Sequence, residues 1–121
     1  MNQSLTAEIN DLHANICAGL ADPKRIMILY ALAEQRQSVN GLAAALRMPQ
    51  PSVSRHLKVL RERGMVLATR QGQSVEYRLA DVRLIQALDL LRAVLHDTLT
   101  HRADLIDTLY EPREAVEETA A

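Results

Sequence analysis

Hydrophobic side chains recur at helical spacing along the first third of the chain. One apolar stripe predicts a first helix that ends near Gly19, and its members are Leu5, Ile9, Leu12, Ile16 and Leu20. Asp22 and Pro23 then predict the start of a second helix, with aspartate as the N-cap and proline in the first turn. Apolar residues cover more than half of this helix between positions 26 and 32, so we expect it to be buried centrally.

A very short third helix and an amphipathic fourth helix are predicted next. Val39 favours a brief strand, and Asn40 is suited to cap a helix over residues 41–46. Residues 47–49 predict a tight turn. The following stretch, residues 50–64, carries one apolar stripe made of Val53, Leu57 and Leu60. Pro51 suits its first turn and Gly64 suits a left-handed cap at its end. A short helix, a tight turn and an amphipathic helix form the helix-turn-helix pattern.

After Gly64 the hydrophobic pattern changes from helical to alternating. Two short strands around a Gln71-Gly72 turn predict a β-hairpin with a polar tip. Asp81 is suited to cap a long last helix, whose apolar residues include Leu84, Ile85, Leu88, Leu91, Val94, Leu95 and Leu99. The predicted fold is mainly α with this small hairpin: a winged helix-turn-helix of about five helices and a two-stranded wing.

The predicted fold occupies residues 1–110, and residues 111–121 form an acidic C-terminal tail that we expect to fray. The first and last helices carry more apolar surface than one domain needs. In a monomer much of that surface would face water, so we expect a homodimer that forms through these two helices.

The charge of the chain is unevenly distributed. The net charge of -1 over 121 residues is not the basic balance typical of a nucleic-acid binder. Residues 50–78, however, carry six Arg and Lys against two Glu, and residues 103–121 carry six acidic residues against one Arg. This separation predicts one positive face that suits an anionic partner.

Other features of the sequence limit the class of protein. The single cysteine, Cys17, excludes an internal disulfide. No apolar run is long enough to span a membrane and no signal peptide precedes the first helix, so we expect a soluble cytoplasmic protein. No nucleophile with a base, glycine-rich phosphate loop or catalytic carboxylate pair is present. We therefore expect neither an enzyme nor a bound cofactor.

Between residues 18 and 95 the chain resembles the ArsR/SmtB family of small bacterial winged-helix repressors. The resemblance rests on LADPKRIMIL in the second helix, LAAALRMPQPSVSRHLKVLRERGMV through the fourth helix, and RQGQSVEYRL in the hairpin. It implies a homodimer that binds an inverted-repeat operator in double-stranded DNA and is released by an inducer. The fourth helix would then be the one that reads the DNA. Pro49 departs from the family pattern, which often has a serine that caps this helix.

The resemblance also implies which residues contact DNA. Gln50, Ser54 and Arg55 match the base-reading positions, and arginine with guanine or glutamine with adenine are the usual pairings. Ser52 and Lys58 are better suited to phosphates.

At the tip of the wing, Arg70 and Gln71 would reach the neighbouring minor groove or the DNA backbone, unless they are merely solvated. We expect His56 to be a half-buried histidine that does not read bases. The alternative function is a winged helix used only for protein–protein contact. Such a docking face would show exposed Leu, Tyr or Trp on the fourth helix, and the sequence has none there.

The metal sites of the family are not retained, so we predict no metal site. One family site places cysteines at the start of the third helix, where this chain has Val39, Asn40 and Gly41. At the positions of a zinc-type site on the last helix the chain has Asp81, Arg83, Val94 and Asp97. An arginine and a valine cannot bind zinc.

One candidate sensor remains in the sequence. Cys17 and His13 are four positions apart on the first helix, so their side chains would point the same way. They could sense a metal, a metalloid or a thiol oxidant. The alternative is that Cys17 only packs as a small apolar residue.

Overall fold

The computed structural model describes residues 1–110, and the predicted acidic tail, residues 111–121, lies outside them. Helix α1 (Gln3–Leu12) begins at Asn2, whose side chain accepts a hydrogen bond from the Leu5 amide at 2.7 Å. A π-helical turn (His13–Cys17) and the short helix α2 (Ala18–Leu20) follow without a break. The predicted first helix is therefore present, but the turn over residues 13–17 is wider than a regular α-helix.

Helix α3 (Pro23–Glu34) begins as its sequence predicts. The Asp22 carboxylate accepts from the Lys24 amide at 2.8 Å, and Pro23 occupies the first turn. Ile28, Leu29 and Leu32 are buried, which makes α3 one of the main contributors to the core.

Helix α4 (Val39–Leu46) starts two residues earlier than predicted. Ser38 is its N-cap, since its hydroxyl accepts from the Gly41 amide at 3.1 Å. The prediction of a brief strand at Val39 and of a cap at Asn40 is therefore wrong, because both residues already lie inside the helix. The β-type pairing falls instead on Gln37, which forms an isolated bridge with Tyr77.

Helix α5 (Gln50–Glu62) completes the helix-turn-helix. The chain leaves α4 through Arg47, whose φ of 55° is left-handed, and enters α5 at Pro49. The predicted stripe of α5 is buried and consists of Val53, Leu57 and Leu60. After α5 the chain turns at Gly64, where φ is 73°, so a residue without a Cβ is favoured there.

Strands β1 (Val66–Gln71) and β2 (Ser74–Leu79) form the predicted antiparallel hairpin. Gln71 pairs with Ser74, so the two turn residues are Gly72 and Gln73, one position later than predicted. Gly72 has a φ of 64°, as the first central position of a tight hairpin turn requires.

The described chain divides into two units, Met1–Ile85 and the residues from Gln86 onward. Helix α6 (Arg83–Tyr110) follows Asp81, whose carboxylate accepts from the Arg83 amide at 2.8 Å, as predicted for a cap. Among the residues from Gln86 on, the exposed large apolar side chains are Leu90, Leu91, Val94, Leu95, Leu99, Leu105, Ile106 and Leu109. Within residues 1–110, no helix is long and apolar enough to cross a membrane.

Candidate nucleic-acid interface

The outer face of α5 carries most of the residues that the sequence suggests for DNA contact. Burial of the apolar stripe leaves four of them exposed together on this helix: Gln50, Ser54, Arg55 and Lys58. None of these four side chains makes a hydrogen bond or an ion pair within residues 1–110, so their donors face solvent.

Ser52 lies elsewhere. The residue is largely buried, with 9% exposed, and its amide donates to the Pro49 carbonyl at 3.0 Å. It lies one turn before His56 on a flank of α5 that packs against the rest of the protein. Its hydroxyl makes no hydrogen bond within residues 1–110, and no buried side-chain polar atom there lacks a partner, so this oxygen reaches solvent. The assignment of Ser52 to a phosphate stays a prediction.

The tip of the wing presents two of the predicted residues. Arg70 and Gln71 are both exposed at the end of β1. The Ser74 hydroxyl donates to the Gln71 carbonyl at 3.1 Å and steadies the turn. Arg78, by contrast, donates to the Thr69 hydroxyl at 2.9 Å across the hairpin. Within residues 1–110, Arg70 makes no such side-chain hydrogen bond, so its guanidinium faces solvent.

Arg25 fastens α5 to the end of the first helix. Its Nε donates to the Gly19 carbonyl at 2.7 Å and its Nη2 to the Ala18 carbonyl at 3.1 Å. Its Nη1 lies 3.4 Å from Nδ1 of His56 on α5. Because a guanidinium only donates, Nδ1 is the accepting nitrogen. One side chain thus links the carboxyl end of α2, the start of α3 and the middle of α5.

This environment determines the protonation of His56. Burial lowers its pKa, the Asp22 carboxylate opposes that shift in part, and the neighbouring Arg25 and Lys24 add to it. His56 is half-buried, as predicted, and the neutral imidazole is favoured. The pKa of Asp22 is itself lowered, first by the hydrogen bond from the Lys24 amide.

A second arginine ties the end of α5 to the π-helical turn. Nη1 of Arg63 donates to the Ala14 carbonyl at 2.6 Å. Nearby, Gly19 lies so close to Met65 that a Cβ at this position would be 2.6 Å from the Met65 sulfur. Sequence reasoning missed these contacts because the partners are far apart along the chain. The only local sign of this close packing was Gly19, a glycine within a helical pattern.

A cleft of about 400 Å³ opens between α5 and β2. Its lining residues are Ser54, Lys58, Arg61, Glu62 and Tyr77. Arg61 and Tyr77 were not among the sequence-based candidates, because only the pairing of the wing brings β2 beside α5.

The candidate sensor residues lie in the π-helical turn. Both Cys17 and His13 are exposed in the single chain. The alternative that Cys17 only packs finds no support within this chain. Among residues 1–110, no group of three or more His, Cys, Asp or Glu is arranged to hold a metal ion.

The zinc-type position at the start of α6 is taken by an arginine. Nε of Arg83 donates to both oxygens of Asp81 at 3.1 Å, and Nη2 donates to Oδ2 at 2.7 Å. These bonds lower the pKa of Asp81 to about 2. The carboxylate is thus paired with a permanent cation, and the residues present do not fit zinc.

Comparisons with known proteins agree with this arrangement. A family model described as "Bacterial regulatory protein, arsR family" matches residues 22–67. The chain is 44% identical over 89 residues to the HTH-type transcriptional repressor SmtB of Mycobacterium tuberculosis. The match covers 74% of this chain and 64% of SmtB, slightly less than two thirds of that relative. It is 42% identical over 93 residues to the HTH-type transcriptional regulator CmtR of the same organism, covering 75% and 79%.

Solved structures show the same fold. The homodimeric winged helix-turn-helix DNA-binding domain of a Mycobacterium bovis protein superposes with a TM-score of 0.70 at 28% identity, over 84% of this chain and 93% of that one. The transcriptional repressor BigR of Xylella fastidiosa superposes with a TM-score of 0.65 at 30% identity, over 78% and 96%.

Proposed function

Because the chain belongs to the ArsR family of bacterial regulatory proteins, we propose that it is a sequence-specific DNA-binding repressor. One observation carries the proposal: Arg55 and Lys58 stand exposed and unpaired on the outer face of α5, beside the wing. Short side chains near the start of this helix would let it enter a major groove closely. We infer a cytoplasmic location, because the chromosomal DNA of a bacterium lies there.

The rival function, docking of a protein partner on this face, has less support. The buried core of a protein interface is more apolar than its rim and is enriched in aromatic side chains, methionine and arginine. Within residues 1–110, the exposed large apolar residues lie on other elements, and α5 contributes none.

The contacts divide into base reading and backbone binding. We assign Arg55 to a guanine and Gln50 to an adenine in the major groove, with Ser54 beside them. Lys58 binds a phosphate. Arg70 and Gln71 reach the adjacent minor groove or backbone from the tip of the wing.

We also propose that the repressor is a homodimer formed through α1 and α6, with residues 1–110 as the DNA-binding and dimerisation domain. The stripe of α1 remains partly exposed in the single chain, with Leu5, Ile9 and Leu12 each at 41–50%. Helix α6 exposes a longer series of leucines. A second copy would cover such surface. Sedimentation velocity at micromolar concentration should give a dimer, and a monomer would contradict this part of the proposal.

In vitro selection from a library of random duplexes tests DNA binding and identifies the operator in the same experiment. We expect an inverted repeat with half-site centres about one helical turn, 10–11 base pairs, apart. No enrichment over several rounds would contradict the proposed function.

The selected operator then tests the two main residues. Replacing Arg55 with Ala should cost about 1–3 kcal/mol on the operator and relax base preference, because a bidentate contact to guanine is lost. Replacing Lys58 with Ala should weaken operator and random DNA by similar factors and lower the salt slope. If Arg55→Ala kept the wild-type ratio between the two duplexes, the assigned role of Arg55 would be wrong.

For the inducer, we propose that direct sensing of a metal, a metalloid or an oxidant would pass through Cys17, with His13 as its nearest helper. Both side chains are accessible in the single chain. The contact between Arg63 and the Ala14 carbonyl joins this turn to the end of α5. A change at Cys17 therefore has a short path to the DNA-binding helix.

A further inference from the structure

The cleft between α5 and β2 is built on a rigid frame. The Gln37 amide donates to the Tyr77 carbonyl at 3.0 Å, and the Tyr77 amide donates to the Gln37 carbonyl at 2.8 Å. On its other side β2 pairs with β1, where Tyr77 lies opposite Ala68. Backbone bonds thus hold β2 on both edges at this point, so the backbone from which the Tyr77 side chain extends is fixed before any ligand arrives.

The donors that line the cleft are free to bind a ligand. Within residues 1–110, Lys58 and Arg61 make no ion pair, and no hydrogen bond uses the Tyr77 hydroxyl. No buried side-chain polar atom lacks a partner in this part of the chain. The Tyr77 hydroxyl must therefore reach solvent, and Tyr77 lines the same cleft as Lys58 and Arg61.

We propose that this cleft binds one phosphate group of the DNA backbone, through charge from Lys58 and Arg61 and a hydrogen bond from Tyr77. The inference rests on the proposed function and adds a defined backbone contact between the reading face and the wing. The lining suits a phosphate diester because it includes two cationic residues and a neutral donor around one open space.

Glu62 places a negative charge beside the two cations of the cleft. Its carboxylate lines the same cleft, where it would repel a phosphate that the two cations attract. Removing this charge should therefore strengthen DNA binding. A cleft that holds only water predicts no such effect beyond that of any surface charge.

The experiment measures binding of fluorescent operator and random duplexes across a salt series, with the full chain. Arg61→Gln should weaken both duplexes about 3- to 10-fold and lower the salt slope by about 0.9. Tyr77→Phe should weaken both by a similar factor with the slope unchanged, because it removes a neutral donor. Glu62→Gln should strengthen both. The control is Arg36→Gln, which removes the same charge from an arginine that lies outside the cleft.

A scan of the operator with single neutral methylphosphonate linkages then locates the contact. We expect one position in each half-site where the neutral linkage costs Arg61→Gln less affinity than it costs the wild type, because one of the two cations at that phosphate is already removed. An effect of Arg61→Gln that is equal at every linkage, or equal to that of Arg36→Gln, would overturn the proposal.

Two further outcomes are distinguishable. If Arg61→Gln binds both duplexes as tightly as the wild type does, while millimolar inorganic phosphate raises the melting temperature of the wild type but not of Arg61→Gln, the ligand of the cleft is the free anion and the backbone assignment is wrong. If the wild type binds neither duplex, the proposed function itself fails. Circular dichroism melting of each variant shows whether any loss reflects misfolding.

Discussion

Replacing Arg25 with Ala should destabilise the protein strongly, although Arg25 contacts no DNA in the proposed complex. Its guanidinium donates to the Ala18 and Gly19 carbonyls and lies within reach of Nδ1 of His56. Only 15% of its side chain is exposed. Gly19 is buried, so water would replace the lost donor poorly at that carbonyl.

The magnitude follows from these contacts. A hydrogen bond to a charged group contributes about 1.5–3 kcal/mol, and contacts made by one side chain are not additive. Two short bonds to carbonyls and one longer contact to an imidazole therefore suggest a loss of about 2–4 kcal/mol in the free energy of unfolding. Lysine at this position should recover only part of it, because one ammonium cannot span all three acceptors.

The assay is urea denaturation followed by circular dichroism, with all variants at the same protein concentration, because the stability of a dimer depends on concentration. Arg36→Ala is the matched control, since Arg36 is exposed and its ion pair with Glu76 spans 4.0 Å. That variant should stay within about 0.5 kcal/mol of wild type. An Arg25→Ala loss no larger than the Arg36→Ala loss would refute the reasoning.

Three other predictions concern pH and inducers. Burial lowers the pKa of His56 below its ordinary 6.5, so the unfolded chain binds the proton more readily than the folded chain does. The free energy of unfolding should therefore fall as the pH drops below 6.5 and through the folded pKa. Urea titrations of His56→Gln should not show this fall in stability. Zinc should not release the protein from its operator, because Arg83 holds both oxygens of Asp81; zinc-specific release that survives Cys17→Ser would contradict this. Release by arsenite, cadmium or peroxide, where it occurs, should disappear in Cys17→Ser, and release that persists would exclude Cys17 as the sensor.

The accessible part of the DNA-binding face could be predicted from the sequence because it is a local property. The stripe of Val53, Leu57 and Leu60 defines which side of α5 is buried, and helical geometry then exposes Arg55 and Lys58 on the other. Ser52 shows the limit of this reasoning. It lies on the flank of the stripe, where local periodicity leaves its burial open, and packing of that flank decides it.

The helices, the wing and their order follow from local sequence, because caps, hydrophobic period and turn residues act over a few positions. Asp22 starts α3, Gly64 ends the turn after α5, and the change to alternation after it marks the hairpin. The contacts between distant side chains, by contrast, follow from tertiary packing. Arg25 reaches His56 across 31 positions, and Arg63 reaches Ala14 across 49. Such contacts depend on how the elements pack, and no local pattern encodes them.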